Sequence, residues 1–312
     1  MKGRIVVLTG GVGGAKLVRG LMEIVAPERI TAIVNTADDF RHLGLWVSPD
    51  LDTLLYTVSD KSNRELGWGR EGESWAFMDA LRSLGGADWF RLGDGDLALH
   101  VLRTQAMAQG QSLSRIMRGF TSAWGVGLSM LPMSDDPVAT HLTTDVGDLP
   151  FQRYFVERQC APAVSAIRFE GADAARPAAG VLEAITGVDT QAILIAPSNP
   201  YLSVDPILAV PGVRAALRDA TAPVVAVSPI VGGTAVKGPT AKLMQELGLD
   251  VSTATVAAHY ADFVDAMLID QRDADGDYAG VRHGFADTLM KTLEDKARVA
   301  TAALALADSL RR

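Results

Sequence analysis

The sequence predicts an α/β fold: a Rossmann-like, mostly parallel sheet with helices on both faces, and a smaller inserted α+β domain. Three observations lead to this prediction. Short apolar runs alternate with segments of helical periodicity. The runs are almost continuously apolar, which is typical of parallel strands covered on both faces. A helix-rich middle section interrupts the alternation, which then resumes. In such sheets ligands bind outside the carboxyl ends of the strands.

The predicted core comprises residues 1–60 and 182–312. Its strands are the most continuous apolar runs, each followed by glycine, proline or polar turn residues: 5–8, 30–34, 192–196 and 224–227. Its helices are the segments with apolar residues at helical spacing between or after these runs: 17–24, 206–218, 237–247 and 289–310. This alternation of strands and helices builds a parallel sheet.

The predicted insertion comprises residues 61–181. Helical periodicity predicts helices over 74–84 and 97–109. Residues 138–144 alternate between β-branched and polar side chains, and the segment 151–156 follows a glycine-containing turn. This pattern predicts a hairpin.

The first strand leads directly into a glycine-rich turn that contains Gly10, Gly11, Gly13, Gly14 and Lys16. Glycines let the backbone turn tightly and present N–H groups at the start of a helix, where the helix dipole also favours an anion. The turn lacks the Gly-Lys-Ser/Thr ending of a Walker loop. It also lacks the third glycine of a dinucleotide fingerprint, and Asn35 instead of an acid follows the second strand. The turn therefore predicts a phosphate site without identifying the ligand that carries the phosphate.

A second cluster follows the second strand, where Asp50 and Asp52 flank a single leucine. In an extended segment both carboxylates would face the same way. Paired carboxylates beside a phosphate site suit Mg²⁺, which takes one or two carboxylates together with substrate phosphates. Alternatively, either aspartate could cap a helix that contains Leu54, Leu55 and Val58. The position after a strand end favours the metal site.

Polar residues follow the later core strands in the same way. Ser198 and Asn199 come after the third strand and Ser228 after the fourth, each beside a proline. Such loops can hold a nucleotide base or ribose, but they can equally be plain turns. In the insertion, Arg91 follows two aromatic residues and could clamp a planar, anionic ligand.

The composition excludes several classes of protein. Of the 312 residues 48% are apolar and 21% are charged, which is ordinary for a globular chain. The net charge of −8 argues against a nucleic-acid surface. No apolar run approaches the length of a membrane span, and no secretion signal opens the sequence. The single Cys160 allows no internal disulfide and no zinc spacing. We therefore expect a cytoplasmic protein that binds neither nucleic acid nor membranes.

The motifs occur in an order that resembles a known family. They are Gly-Gly-Val-Gly-Gly-Ala-Lys at 10–16, Asn-Thr-Ala-Asp-Asp at 35–39, Ser-Pro-Asp-Leu-Asp-Thr at 48–53, Leu-Gly-Asp at 92–94, Pro-Met-Ser-Asp-Asp at 132–136, Phe-Gln at 151–152, Pro-Ser-Asn-Pro at 197–200 and Ser-Pro-Ile at 228–230. The ordered set is similar to that of the 2-phospho-L-lactate transferase family of deazaflavin coenzyme F-420 biosynthesis. The resemblance covers nearly the whole chain.

This resemblance implies a reaction. A phosphorylated three-carbon acid would pass from a guanosine diphosphate adduct, of lactyl or enolpyruvyl type, to the ribityl hydroxyl of the deazaflavin Fo. GMP would leave, and Mg²⁺ would be required. A homodimer is also expected.

The resemblance also implies site residues. Asp50 and Asp52 would hold Mg²⁺ and orient the acceptor hydroxyl, and either could act as general base. The glycine turn would hold the donor diphosphate with its backbone N–H groups. Lys16 would either reach a phosphate or simply begin the helix, and Asn35 would bind substrate. The guanosine end would be contacted by Ser198, Asn199 and Ser228. Arg91, with its aromatic neighbours, would contact Fo.

The chain departs from the family pattern at Gly95, where relatives often carry a basic residue, and at Val12 and Ala15, which point to a bacterial-type member. In such a member an enolpyruvyl or other three-carbon donor is as strongly expected as a lactyl one. Two other functions compete with the transferase. One is a non-catalytic nucleotide-sugar-binding regulator of the gluconeogenesis-factor type. The other is a dinucleotide-dependent oxidoreductase, which the incomplete fingerprint disfavours.

Overall fold

A parallel sheet of seven strands forms the centre of the computed structural model, which describes residues 3–63, 67–236, 238–278 and 280–311. The strands of the chain are β1 (Arg4–Thr9), β2 (Ile30–Val34), β3 (Phe40–His42), β4 (Leu45–Val47), β5 (Ser129–Pro132), β6 (Ala139–Thr144), β7 (Gly147–Pro150), β8 (Val164–Glu170), β9 (Thr190–Ile195), β10 (Val224–Val227), β11 (Ile230–Val231), β12 (Thr234–Ala235), β13 (Ala266–Asp270) and β14 (Arg282–Ala286). The central sheet has the order β14-β13-β10-β9-β1-β2-β5, and every neighbouring pair is parallel.

Helices surround this sheet. They are α1 (Gly11–Leu21), α2 (Pro49–Val58), α3 (Ala76–Ser83), α4 (Leu97–Ala108), α5 (Leu113–Ala123), α6 (Val181–Thr186), α7 (Asp205–Ala209), α8 (Val213–Arg218), α9 (Thr240–Glu246), α10 (Thr253–Tyr260) and α11 (Leu293–Leu310). Within the described ranges no helix is both long and apolar enough to cross a membrane.

The strand sequences explain why both faces of the sheet are covered. Along β1, Ile5 and Val7 belong to one apolar core, whereas Val6 and Leu8 belong to a second core. The first core also contains apolar residues of α1, α2, α5 and α11, and the second contains those of α6 to α10. Because side chains alternate along a strand, a continuously apolar strand buries both faces. The predicted Rossmann-like α/β fold is confirmed.

The region predicted as an insertion contributes to two sheets. Strand β5 pairs with β2 at the edge of the central sheet, so one core strand lies within 61–181. Strands β7, β6 and β8 form a separate antiparallel sheet. Residues 61–181 thus contain the smaller antiparallel sheet together with one strand of the central sheet. The domain boundaries at residues 61 and 181 stay a prediction.

The predicted hairpin is present, but its second strand is β7 and not residues 151–156. The segment after β7 forms a π-helical turn, Arg153–Glu157. Phe151 and Tyr154 are both buried. Their spacing of three residues fits a helical turn with one buried face, whereas a strand would bury alternate residues.

Four predicted helices have different bounds in the structure. Helix α1 begins at Gly11 and not at residue 17, so the glycine run is itself helical. The segment 206–218 is divided into α7 and α8, because Gly212 has a φ of +88° that no helix contains. The predicted start at Lys237 lies outside the described residues, and α9 begins at Thr240. Helix α11 begins after Thr292, whose side chain caps it in a capping box with Asp295.

Candidate functional site

A cavity of about 750 Å³ opens at the carboxyl ends of β1, β9 and β10. Its wall contains most of the residues predicted from sequence: Gly10, Gly11, Gly13, Lys16, Asp50, Asp52, Arg91, Ser198, Asn199 and Ser228. Gly14 and Asn35 lie behind this wall, where each approaches a residue that lines the cavity. The fold therefore brings residues from distant parts of the chain to one site, at the edge of the sheet where ligands of such folds bind.

The glycines permit close packing at the start of α1. A Cβ atom on Gly13 would lie 2.5 Å from the carbonyl oxygen of Pro197. Ser198 fixes the turn from the other side, because its Oγ donates to the Gly10 carbonyl at 2.7 Å and accepts from the Gly10 N–H at 3.1 Å. No side chain of the N-cap residue caps α1. The first N–H groups of a helix lack intrahelical acceptors, so this helix start is suited to bind an anion.

Asp50 lies directly at this helix start. Its Oδ1 accepts the Gly11 N–H at 2.7 Å, and its Oδ2 accepts from Asn35 Nδ2 at 3.0 Å. The residue is buried, and burial raises the pKa of its carboxyl to about 6, although both hydrogen bonds oppose the rise. The group is therefore ionised at neutral pH and titrates just below it.

Asp38 is a second buried carboxylate in the cavity wall. Burial, followed by repulsion from Asp50, raises the pKa of Asp38 well above its usual range. Its Oδ1 is buried, with no hydrogen-bond partner among the described residues. The carboxylates of Asp38 and Asp50 suit a bound cation. A cation would weaken the repulsion between them and would give Asp38 Oδ1 the partner that it lacks.

The pair of Asp38 and Asp50 suits Mg²⁺ better than a metal that needs a full set of protein ligands. In the described part of the chain no group of three or more His, Cys, Asp or Glu residues could hold a metal ion. Mg²⁺ needs only one or two carboxylates when substrate phosphates and water complete its shell. Sequence reasoning quoted Asp38 in a motif but gave it no role. Its position just after β2 was the signal that could have found it.

Asp52 has different surroundings from Asp50. Both aspartates lie in α2, so the expectation of an extended segment was wrong. Positions two apart on a helix point in different directions. The Asp52 carboxylate forms an ion pair with the fully buried Arg103, including a bond of 3.1 Å from Nη1 to Oδ2. His100 Nδ1 lies 3.8 Å from the same oxygen. The metal and catalytic roles of Asp52 stay predictions.

Asp39 also has a buried carboxylate, although the residue as a whole is partly exposed. Its Oδ2 accepts from Ser48 Oγ at 2.6 Å and from Trp46 Nε1 at 3.2 Å. Burial raises the pKa of Asp39 to about 8, and the hydrogen bond from Ser48 opposes this. The folded protein thus keeps a proton that the unfolded chain loses near pH 4.

We expect Asp39 to make the folded state less stable as pH rises. Between about pH 4 and 8 the folded state binds more protons at this group than the unfolded state, so the free energy of unfolding falls by up to about 1.4 kcal/mol per pH unit. Asp39→Asn removes this contribution. Urea unfolding at pH 5.5, 6.5 and 7.5 in EDTA gives the slope of the free energy of unfolding against pH for wild type and for Asp39→Asn. Equal slopes would contradict the expectation.

The side chains proposed for the guanosine end are engaged within the protein. Asn199 Oδ1 accepts the N–H groups of Tyr201 and Leu202, at 3.0 and 3.1 Å. Ser228 Oγ accepts the Ile230 N–H at 3.1 Å and lies 2.9 Å from Thr253 Oγ1. These bonds fix the loops after β9 and β10 that line the cavity. A contact of these residues with guanosine stays a prediction.

The cavity wall also contains the charged side chains of Lys16 and Arg91 and the aromatic ring of Trp89. The exposed Arg91 stacks on Trp75, with its Cζ 3.9 Å from the ring centroid. Arg153 stacks on Trp89 at 4.2 Å. Lys16 Nζ donates to the Met290 carbonyl at 2.8 Å. Sequence reasoning missed Trp75 and Arg153, because each is distant in sequence from the residue it contacts.

Gly95 lies beside the end of a flexible side chain. A Cβ atom there would lie 2.1 Å from Arg70 Nη1. The Gly95 N–H donates to Glu73 Oε2 at 2.6 Å, and Arg70 Nη1 lies 3.3 Å from Glu73 Oε1. A side chain at position 95 would therefore have to displace the guanidinium of Arg70.

Similar proteins are known over the full length of the chain. The family model described as 2-phospho-L-lactate transferase CofD matches residues 5–302. A phosphoenolpyruvate transferase of Kitasatospora aureofaciens is 43% identical over 319 residues, covering 99% of each chain. A 2-phospho-L-lactate transferase of Methanosarcina acetivorans is 39% identical over 310 residues, covering 98% of this chain and 100% of the relative.

Among solved structures, protein BH3568 from Bacillus halodurans has a TM-score of 0.61 to this chain. The alignment covers 98% of this chain and 99% of the other, at 20% sequence identity. At that identity the likeness supports the fold alone.

Proposed function

This chain belongs to the 2-phospho-L-lactate transferase family, as its motifs predicted. We propose that it attaches a phosphorylated three-carbon acid to a deazaflavin in coenzyme F-420 biosynthesis. A phosphorylated three-carbon acid passes from a guanosine diphosphate adduct to the ribityl hydroxyl of Fo, and GMP leaves. The cytoplasmic location and the homodimer stay predictions.

One observation carries the proposal. The start of α1 and the carboxylates of Asp38 and Asp50 line one cavity, and Asp50 bonds directly to the Gly11 N–H at 2.7 Å. A diphosphate needs N–H donors and a cation. The Gly11 N–H is already bound by Asp50, so the N–H groups that follow it in the first turn of α1 would bind the diphosphate, and the carboxylates of Asp38 and Asp50 would hold the cation. Lys16 adds a positive side chain to the same wall.

We propose that Asp38 and Asp50 hold Mg²⁺ together with the donor phosphates. Both line the cavity, and Asp38 Oδ1 has no partner among the described residues, whereas both oxygens of Asp52 are bound by Arg103. This difference supports Asp38 and Asp50 over the predicted pair of Asp50 and Asp52. When bound, Mg²⁺ would neutralise charge on the transferred phosphoryl group.

The chain itself supplies positioning. The N–H groups at the start of α1 bind the diphosphate and favour the charge that develops as the bond to GMP breaks. Arg91 and Trp89 in the cavity wall offer flat surfaces on which the Fo ring stacks, and each is held by a cation–π contact, with Trp75 and Arg153 respectively. Phosphoryl-type transfer requires such positioning and charge neutralisation and needs no covalent bond to the protein.

The regulator of the gluconeogenesis-factor type is not favoured. The relatives at about 40% identity carry transferase names. A protein of that type would bind a nucleotide sugar and show no affinity for Fo, which equilibrium binding of both ligands measures.

The donor acid distinguishes the possible forms of the reaction. We expect the enolpyruvyl adduct to give at least about tenfold higher kcat/KM than the lactyl or glyceryl adduct. The reason is that four relatives at 41–43% identity are named phosphoenolpyruvate transferases. The assay incubates the protein with Fo, Mg²⁺ and each donor and separates products by liquid chromatography with mass detection. Absence of product with all three donors would overturn the proposed function.

A further inference from the structure

The largest fully buried side chain among the described residues is Arg103, on α4. A buried guanidinium is rare unless its charge is paired. Arg103 is not part of the cavity wall, so it does not contact a ligand there. Its burial therefore needs an explanation within the protein.

Arg103 binds two segments that lead to the site. Its Nη1 donates to Asp52 Oδ2 at 3.1 Å and to the Trp46 carbonyl at 3.3 Å, and its Nη2 donates to Asp52 Oδ1. The neighbouring Thr104 accepts the Trp46 N–H on its Oγ1 at 2.7 Å. Two consecutive residues of α4, Arg103 and Thr104, therefore bind the backbone carbonyl and the backbone N–H of Trp46.

These contacts extend to the paired carboxylates. Asp52 lies on α2 two residues after Asp50, so a fixed Asp52 also fixes the first turn of α2. The Trp46 side chain donates to Asp39, which directly follows Asp38. Arg103 is thus tied to the segment that carries Asp50 and to the segment that carries Asp38.

We propose that Arg103 is a positioning residue that keeps Asp38 and Asp50 in place in the cavity wall, and that Asp52 is its ion-pair partner and not a metal ligand. The proposal rests on the proposed function for its meaning in catalysis. The charge balance supports it: a carboxylate already bound at both oxygens by a guanidinium has little capacity left for a cation.

A charge-removal cycle tests this proposal. The variants are Asp52→Asn, Arg103→Met, Arg103→Lys and the double variant Asp52→Asn with Arg103→Met. Mn²⁺ binding in the presence of guanosine diphosphate is measured by electron paramagnetic resonance, and kcat and donor KM are measured beside it. Asp50→Asn serves as the reference for loss of a metal-holding carboxylate.

We expect Arg103→Met to weaken Mn²⁺ binding by about 100-fold, because the bonds that tie Arg103 to Asp52 and Trp46 are lost. The double variant relieves the unpaired charge of Asp52 but restores neither bond, so its Mn²⁺ affinity should stay within about threefold of that of Arg103→Met. Arg103→Lys should lie between Arg103→Met and wild type, since it keeps the charge but loses the two-pronged geometry. Asp52→Asn keeps Arg103 and its bond to Trp46, so it should bind Mn²⁺ at least about tenfold more tightly than Asp50→Asn, and this comparison holds even if Arg103→Met does not fold.

An Asp52→Asn variant that binds Mn²⁺ no better than Asp50→Asn would overturn the proposal, because Asp52 would then be a ligand. Wild-type Mn²⁺ binding by the double variant would contradict it too, because Arg103 would then position nothing. Absence of Mn²⁺ binding by wild type would overturn it as well. The exposed pair Asp79 and Arg82, with Nη1 and Oδ1 3.2 Å apart, offers a matched control cycle that should change nothing. If wild type binds Mn²⁺ but transfers no acid to Fo, the proposed function fails while the binding cycle still tests the role of Arg103.

Discussion

Asp50→Asn should lower kcat by about 10²- to 10³-fold while the protein stays folded. Asparagine keeps the shape of the side chain, and its oxygen can still accept the Gly11 N–H. It loses the negative charge that, with Asp38, would hold the cation beside the donor phosphates. Steady-state kinetics at saturating Fo and donor, with circular dichroism to monitor folding, measure both parts of this expectation.

The control for this substitution is Asp79→Asn on the exposed face of α3. It removes the same charge far from the cavity and should leave kcat within about twofold of wild type. Retention of wild-type turnover by Asp50→Asn would remove this carboxylate from the mechanism.

Gly13→Ala should lower kcat/KM for the donor by about 100-fold. The new methyl group would lie 2.5 Å from the Pro197 carbonyl oxygen, so the start of α1 must move away from the loop after β9. That movement displaces the N–H groups proposed to bind the diphosphate. The same crowding should lower the free energy of unfolding by about 1–3 kcal/mol.

Gly119→Ala is the matched control for Gly13→Ala. Gly119 is also helical, but a Cβ atom there would meet no atom within 4 Å. Alanine is the better helix former, so this change should stabilise α5 by about 0.5–1 kcal/mol and leave the kinetics unchanged. Wild-type donor kinetics in Gly13→Ala would show that the diphosphate binds elsewhere.

The fold and the location of the site were largely predictable from sequence. Continuous apolar runs such as Ile30–Val34 identify buried parallel strands, because covering both faces of a sheet leaves no polar position. The strand-end rule then placed the glycines, Asp50 and Ser198 at one edge, where all of them except Gly14 line the cavity. The family predicted from the ordered motifs is confirmed.

Other features depended on tertiary contacts that no local pattern contains. The glycine run resembled a loop because glycine is a poor helix former, yet packing against Pro197 makes it the first turn of α1. Asp50 and Asp52 differ because only one of them is reached by Arg103, which is far away in the sequence. The edge strand β5 lies between the predicted helices and the predicted hairpin, where the sequence pattern predicted no strand, and pairing with β2 determines its place.

A single-turnover experiment tests the central claim most directly. Enzyme in excess over the enolpyruvyl guanosine diphosphate donor is mixed with Fo and Mg²⁺, and GMP and phosphorylated deazaflavin are quantified over time. The transferase account predicts that both appear together, in equal amounts, and that GMP release stops when Fo is left out. GMP release at the same rate without Fo, or Fo consumption without GMP, would contradict it.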